Sequence, residues 1–157
     1  MKKLLLLLLL PLCIKAQRDS TVKADSLVAF AKSLLGTKYR YAQCSPKKGF
    51  DCSGFVYFVF DHFQIKVPRA SMDYERAGSK INIDSCRAGD VIVFTGTNVK
   101  NRHPGHVGIV VSNINGEITF IHSSSGHNRI GVILTSYTGS AYYQKRYIKT
   151  VRLDAVK

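Results

Sequence analysis

The 157-residue sequence contains no Pro- or Ser-rich tract, no block of like charge and no internal repeat. Those absences exclude a string of linked modules, a low-complexity tail and a solenoid. It is also poor in acid, with 10 Asp and Glu against 23 Lys and Arg, a formal net charge of +13. The basic residues are scattered singly and build no known nucleic-acid module, so nucleic acid is not the expected partner. A basic surface of this kind attracts polyanions through its summed field, or is simply a solvated face. No apolar run approaches the ~20 residues of a membrane-spanning helix.

What is present begins with a leader. Met1-Lys2-Lys3 is a short positive segment, Leu4 to Leu10 is unbroken leucine, and Pro11 to Ile14 leads to Ala16-Gln17. That is the layout of a secretory signal peptide over residues 1–16, cleaved after Ala16. Leu12 stands where a lipidation signal takes a small residue, which argues against a lipid anchor on Cys13. Residues 17–157 then form one domain, of ordinary size for a single core. An exported protein, in the periplasm, cell envelope or medium, with no stable membrane insertion after cleavage, is the expectation. The leader takes three lysines and no acid with it, leaving a mature net charge of +10.

Thr21 to Leu35 carries apolar residues near a 3.6-residue spacing and predicts an amphipathic helix stopped at Gly36. Lys38 to Phe50 reads as a loop. Phe55 to Phe60 is apolar throughout and fits either a strand or a buried helix, but Asp51 offers an N-cap, which favours a helix reaching Phe63. Pro68 to Ala77 reads as an extended entry and a short helical turn. Val91 to Phe94, Val107 to Val111, Ile118 to Ile121, Gly131 to Leu134 and Tyr147 to Leu153 are short strand-like runs. Turn signals at Asn98, Pro104-Gly105, Asn113 to Gly116 and Gly126 to Asn128 separate them. Helices first and consecutive strands after predict an α+β fold, N-terminal helices packed on a small antiparallel sheet.

Cys44, Cys52 and Cys86 are an odd number of mature thiols, so at least one stays unpaired within the chain. Cys52 sits at the predicted start of a buried helix, where free N–H groups and the helix dipole lower a thiol pKa and favour the nucleophilic thiolate. A core cysteine at a helix start is the plain alternative. His106 opens one predicted strand and His122 closes the next, so antiparallel pairing brings them together. One histidine could then face Cys52 while the other orients it, the division of labour of a catalytic triad, with thiolate and imidazolium as a coupled pair. His103 invites a metal reading, but Pro104-Gly105 breaks the geometry and no partner motif accompanies it, so neither metal nor cofactor is expected. Cys44 and Cys86 remain as a candidate disulfide or as two unrelated buried thiols.

Five pieces occur in order: Phe50-Asp51-Cys52-Ser53-Gly54-Phe55-Val56, Pro68-Arg69-Ala70-Ser71, Ala88-Gly89-Asp90-Val91-Ile92-Val93-Phe94, His106-Val107-Gly108-Ile109-Val110 and Ile121-His122-Ser123-Ser124-Ser125. Together they resemble the NlpC family of papain-like bacterial cell-wall cysteine peptidases, from about Ser26 to Leu153. The resemblance implies a papain-like α+β fold and hydrolysis of peptidoglycan stem peptides, commonly between D-γ-glutamyl and a diamino acid. It implies Cys52, His106 and His122 as the triad, Tyr39 near the oxyanion site, and Asp51, Arg69 and Ser71 along the substrate cleft. One departure stands out: the family has a Gly-Gly pair after that tyrosine, where this chain reads Ala42-Gln43-Cys44. The same triad on a related fold can serve amidase or acyl-transfer chemistry, and a non-catalytic wall-binding module is a further alternative.

Overall fold

A computed structural model describes residues 22–126 and 129–156. The predicted leader with Cys13, together with His127 and Asn128 of the last predicted turn, lies outside the described residues. The first helix, α1 (Ala24–Ser33), is shorter than its periodicity suggests and buries Leu27, Val28 and Ala31. A turn after Leu34 carries the chain to Gly36, whose φ of +81° suits a residue without Cβ and whose N–H donates to Val132 O at 2.9 Å.

The predicted loop that follows holds a small hairpin, β1 (Cys44–Ser45) and β2 (Gly49–Phe50), two residues per strand and so below any sequence period. The ambiguous apolar run is helical: α2 spans Cys52–His62, with the Asp51 carboxylate accepting from the Gly54 N–H as its N-cap. Phe55, Val56, Val59 and Phe60 are fully buried on it. Gly54 lets the hairpin close against this helix, because a Cβ there would meet Gln43 O at 2.2 Å. After α2 come two 3-10 turns, Ser71–Glu75 and Ile83–Ser85.

Six antiparallel strands make the main sheet: β3 (Ser79–Ile81), β4 (Val91–Thr95), β5 (Pro104–Ile114), β6 (Glu117–Gly126), β7 (Arg129–Ser136) and β8 (Tyr147–Arg152). Their spatial order is β3-β8-β4-β5-β6-β7. A third helix, α3 (Ala141–Arg146), feeds directly into β8. Neither β3 nor α3 was expected; a three-residue edge strand and a six-residue helix are too short to show a hydrophobic period. Both faces of the sheet are covered. Val91, Val93, Val107, Ile109, Ile121 and Val132 pack with α1 and α2 in one cluster. Ile92, Phe94, Val110, Ile118 and Phe120 form a second cluster with Cys86, against Tyr137, Tyr143 and Tyr147. β4 is buried at all five positions, as a strand covered on both faces must be.

The β5–β6 hairpin turns through Asn115-Gly116, both at positive φ (52° and 86°), the type I′ signature. Its register changes once. Ile114↔Glu117, Asn113↔Ile118 and Ser112↔Thr119 pair near the turn, then Val110↔Phe120 and Ile109↔Ile121, leaving Val111 as the extra residue of a β-bulge.

Candidate active site

Cys52 is the first residue of α2, and its thiol is half-buried where that helix meets β5. The N–H groups of Val107, Ser53 and Cys52 itself surround the sulfur and favour a negative charge on it. Burial outweighs them, however, and with help from the neighbouring Asp51 carboxylate pushes the thiol above its ordinary value. The sequence expectation of a lowered pKa is therefore reversed. A helix start can be read from sequence, but the water removed from around it cannot.

Val107 follows His106, so the contact with Cys52 falls at the residue beside that histidine. His106 Nε2 lies 2.9 Å from His122 Nδ1, and His122 Nε2 lies 3.0 Å from Thr135 Oγ1. His122 is fully buried. Burial drives its pKa down to about 3, with Arg146 adding to the effect. Burial likewise carries His106 well below the ordinary imidazole range, aided by His122 and Arg146. Both rings are thus uncharged at rest, and the tautomer sets the direction of the chain. With Nε2–H of His106 donating to Nδ1 of His122, Nε2–H of His122 donates to Thr135 and Nδ1 of His106 keeps a free lone pair.

The imidazoles meet diagonally across β5 and β6, because the strand register sets His122 beside Gly108. A Cβ on Gly108 would stand 2.7 Å from Phe120 Cδ2, 2.9 Å from Ile121 O and 3.1 Å from His122 Cβ. Only glycine leaves the rings room to touch. Phe120 stacks on His122 with centroids 4.7 Å apart, and Tyr143 approaches its edge at 5.4 Å with the hydroxyl 3.5 Å from Nε2. Gly108, Thr135, Tyr143 and Arg146 thus join the predicted pair. A glycine inside a strand run was the one available sequence signal among them.

Beside Cys52 opens a cleft of about 450 Å³, lined by Tyr39, Tyr41, Asp51, Ser53, Arg69, Ser71 and Gly105 among others. It gathers all four residues that the resemblance assigns to substrate binding. Arg69 grips Asp51 bidentately at 3.0 and 2.9 Å and also donates to Ser53 Oγ at 3.2 Å. One carboxylate therefore both caps α2 and anchors the cleft wall. Tyr39 lines this cleft, and where the family has its Gly-Gly pair Ala42 adopts a left-handed φ of 59°, a conformation that glycine takes at no cost. The Tyr39 hydroxyl interacts with the Ser125 side chain, and burial raises its pKa.

The other candidates fall apart. Cys44 and Cys86 are free thiols. Cys44 lies on β1 within reach of Arg69, whereas Cys86 is buried in the cluster on the far face of the sheet. No disulfide joins them, since the sheet stands between. His103 is exposed and its N–H caps back to Asn101. No group of three His, Cys, Asp or Glu among the described residues could hold a metal ion. His62 stacks flat on Phe30, centroids 3.8 Å apart, and serves the contact between α1 and α2.

A thiol at the head of a buried helix, set against an imidazole relay on an antiparallel sheet, defines the papain-like class of α+β folds. The chain belongs to the NlpC/P60 family, whose model matches residues 36–152. It is 30% identical over 148 residues to a gamma-DL-glutamyl hydrolase of Bacillus subtilis, covering 94% of this chain and 34% of that protein. It is 33% identical over 119 residues to the murein DD-endopeptidase MepS/murein LD-carboxypeptidase of Escherichia coli, covering 75% of this chain and 56% of that one. The chain thus spans between a third and just over half of these two relatives. A crystal structure of an NlpC/P60 family protein from Bacillus cereus superposes with a TM-score of 0.73 at 27% identity, over 84% of this chain and 40% of that one.

Proposed function

We propose that this protein is a cysteine peptidase that hydrolyses amide bonds in peptidoglycan stem peptides, with Cys52 as nucleophile, His106 as base and acid, and His122 as orienter. The observation that carries the reading is the imidazole relay on the strand beside the thiol. Cys52 touches the N–H beside His106, and His106 is held through Nε2 by His122. As the sulfur attacks the carbonyl carbon, its proton passes to Nδ1 of His106. The oxyanion forms near the Cys52 N–H and the Tyr39 hydroxyl, donors of a kind worth roughly 3–4 kcal/mol each where one has been removed. His106 then protonates the departing amine and leaves a thioester, and water activated by the same nitrogen releases the acid. With no carboxylate in the relay, His122 fixes the tautomer of His106 and contributes little charge.

The bond we assign is that between D-γ-glutamyl and a diamino acid, consistent with the name of the B. subtilis relative. Asp51, Arg69 and Ser71 line the subsite that receives the peptide. We further assign residues 1–16 as an export signal; no helix among the described residues is long and apolar enough to cross a membrane. Digestion of purified sacculi followed by mass spectrometry of muropeptides tests the reaction. Fragments ending in D-glutamate and beginning with a free diamino acid are expected from the unaltered protein and not from Cys52→Ala. Cleavage at an ester or a non-peptide amide would point to the amidase or acyl-transfer alternative, and equal cleavage by Cys52→Ala would refute the assignment. Protein recovered from the envelope fraction should begin at Gln17.

A further inference from the structure

Arg146 closes α3 and is only 5% exposed. The two ion pairs among the described residues are Arg69–Asp51 and Arg152–Asp90, so no carboxylate answers this buried cation there. Taking a cation out of water without a counter-charge is costly. The structure offsets part of that cost with Thr95 O at 2.7 Å and Gly96 O at 3.0 Å, and with the Tyr142 ring 4.5 Å away. Those contacts tie α3 to the end of β4, next to where β5 starts towards His106. The guanidinium carbon also lies 5.7 Å from the centre of the Tyr143 ring, which sits 6.1 Å from His106 and 5.4 Å from His122.

We propose that Arg146 is a positioning residue for the hydrolysis: it clamps the end of β4 and Tyr143 behind the two imidazoles and supplies the positive field in which His106 passes its proton on. This rests on the reading of Cys52 and His106 as the reacting pair. The chemistry of a histidine pair explains the need. Two imidazoles in nitrogen-to-nitrogen contact, without a carboxylate, can trap a shared proton, and a protonated His106 accepts nothing from the thiol. A fixed cation behind them disfavours that state. It also makes the imidazolium formed during attack a better acid, so the proton taken from sulfur at Nδ1 moves forward to the leaving amine nitrogen. The titratable groups facing the pair are few. From α3 come Arg146 and Tyr143, the latter held neutral with its pKa pushed up to about 12 by burial. From α2 comes Cys52, also held neutral by burial. Arg146 is the one charged group among those that bear on both imidazoles.

The experiment has two arms. In the Cys52→Ala background, NMR follows the imidazole resonances of His106 and His122 against pH; in the active protein, kcat is followed against pH. Arg146→Met should move the imidazole titrations and the acid limb of kcat upward by about one pH unit. Arg146→Lys keeps the charge but loses the carbonyl clamp, so it should lower kcat while leaving the limb in place. If Arg146→Met does not fold, Arg146→Gln carries the same comparison, since its amide can still donate to Thr95 or Gly96. A purely structural role would leave the titrations unmoved in a folded neutral variant, or move them as far in Arg146→Lys, and either result overturns the proposal. Absence of Cys52-dependent cleavage by the unaltered protein would sink the catalytic reading instead, and the NMR arm would still decide the part played by Arg146.

Discussion

Gly108→Ala adds one methyl group where three atoms already crowd. Phe120 Cδ2, at 2.7 Å from the new Cβ, belongs to a ring that can rotate a little. Ile121 O, at 2.9 Å, is backbone on the neighbouring strand and can yield only if β5 and β6 spread. His122 Cβ, at 3.1 Å, must give by a few tenths of an ångström, and it carries the ring that touches His106 at 2.9 Å. Overpacking of this kind costs about 1–3 kcal/mol. Displacing a group in a reacting constellation by up to ~1 Å costs on the order of 10²-fold in rate. The expected outcome is a modest loss of stability in urea unfolding and a fall of about 10²-fold in kcat on a synthetic stem peptide, with KM little changed because the cleft is untouched. Ile118→Val, destabilising by about 0.5–1.5 kcal/mol at the turn end of β6, is the control and should keep its kcat. If Gly108→Ala loses stability yet turns over normally, contact between the two imidazoles is not what this glycine protects.

The titration of the pair gives a second expectation. Burial raises the Cys52 thiol and lowers His106, so alkylation of Cys52 by iodoacetamide should climb only above the ordinary thiol value of about 8.5. Activity should hold from below the usual imidazole range of about 6.5 up to that same alkaline limb, and alkylation already at its plateau by neutral pH would refute a neutral resting pair. Tyr74 is fully buried and its hydroxyl lacks a hydrogen-bond partner, the one such side-chain group among the described residues. Tyr74→Phe should therefore stabilise the protein by about 1 kcal/mol or more in chemical denaturation, and a loss of stability would show that a partner exists. Asp51→Ala removes the cap of α2 and frees Arg69, whose side chain is 38% exposed. Water can take over most of the ion pair, so a destabilisation of about 1–2 kcal/mol by urea titration is expected, and no change would deny the cap its role.

The parts of this fold that sequence made legible are those whose information is local. Asp51 tipped the apolar run after it towards a helix because a capping carboxylate acts within three residues. Val91 to Phe94 and Ile118 to Ile121 announced strands through β-branched and aromatic content. β1, β2, β3 and α3 escaped because two to six residues hold no period. Within the site, Cys52, His106 and His122 were found because each borders a recognisable apolar run, although β6 continues past His122 to Gly126. Thr135, Tyr143 and Arg146 were not, because their parts depend on which residue faces which across strands and on how α3 folds back. The sign of the Cys52 shift was missed for a related reason: the helix start is written in neighbouring residues, whereas the burial that overrides it is assembled from distant ones.

The bulge at Val111 has a consequence best put as odd and even. Counting from the Asn115-Gly116 turn, the ladder pairs Ile114 with Glu117; carried on without interruption, it would set His122 against Ile109, whose side chain points at the helices. The one surplus residue shifts the count, sets His122 beside Gly108 and brings it to the same side as His106. A loop grown or trimmed beyond the bulge, at the turn, leaves that alignment alone, since the two strands stay paired from Val110 inward. A single residue gained or lost between Val111 and the histidines changes the parity and parts the two rings across the thickness of the sheet. Variation in length is thus free at one end of this hairpin and forbidden at the other, and the boundary between the two is one valine wide.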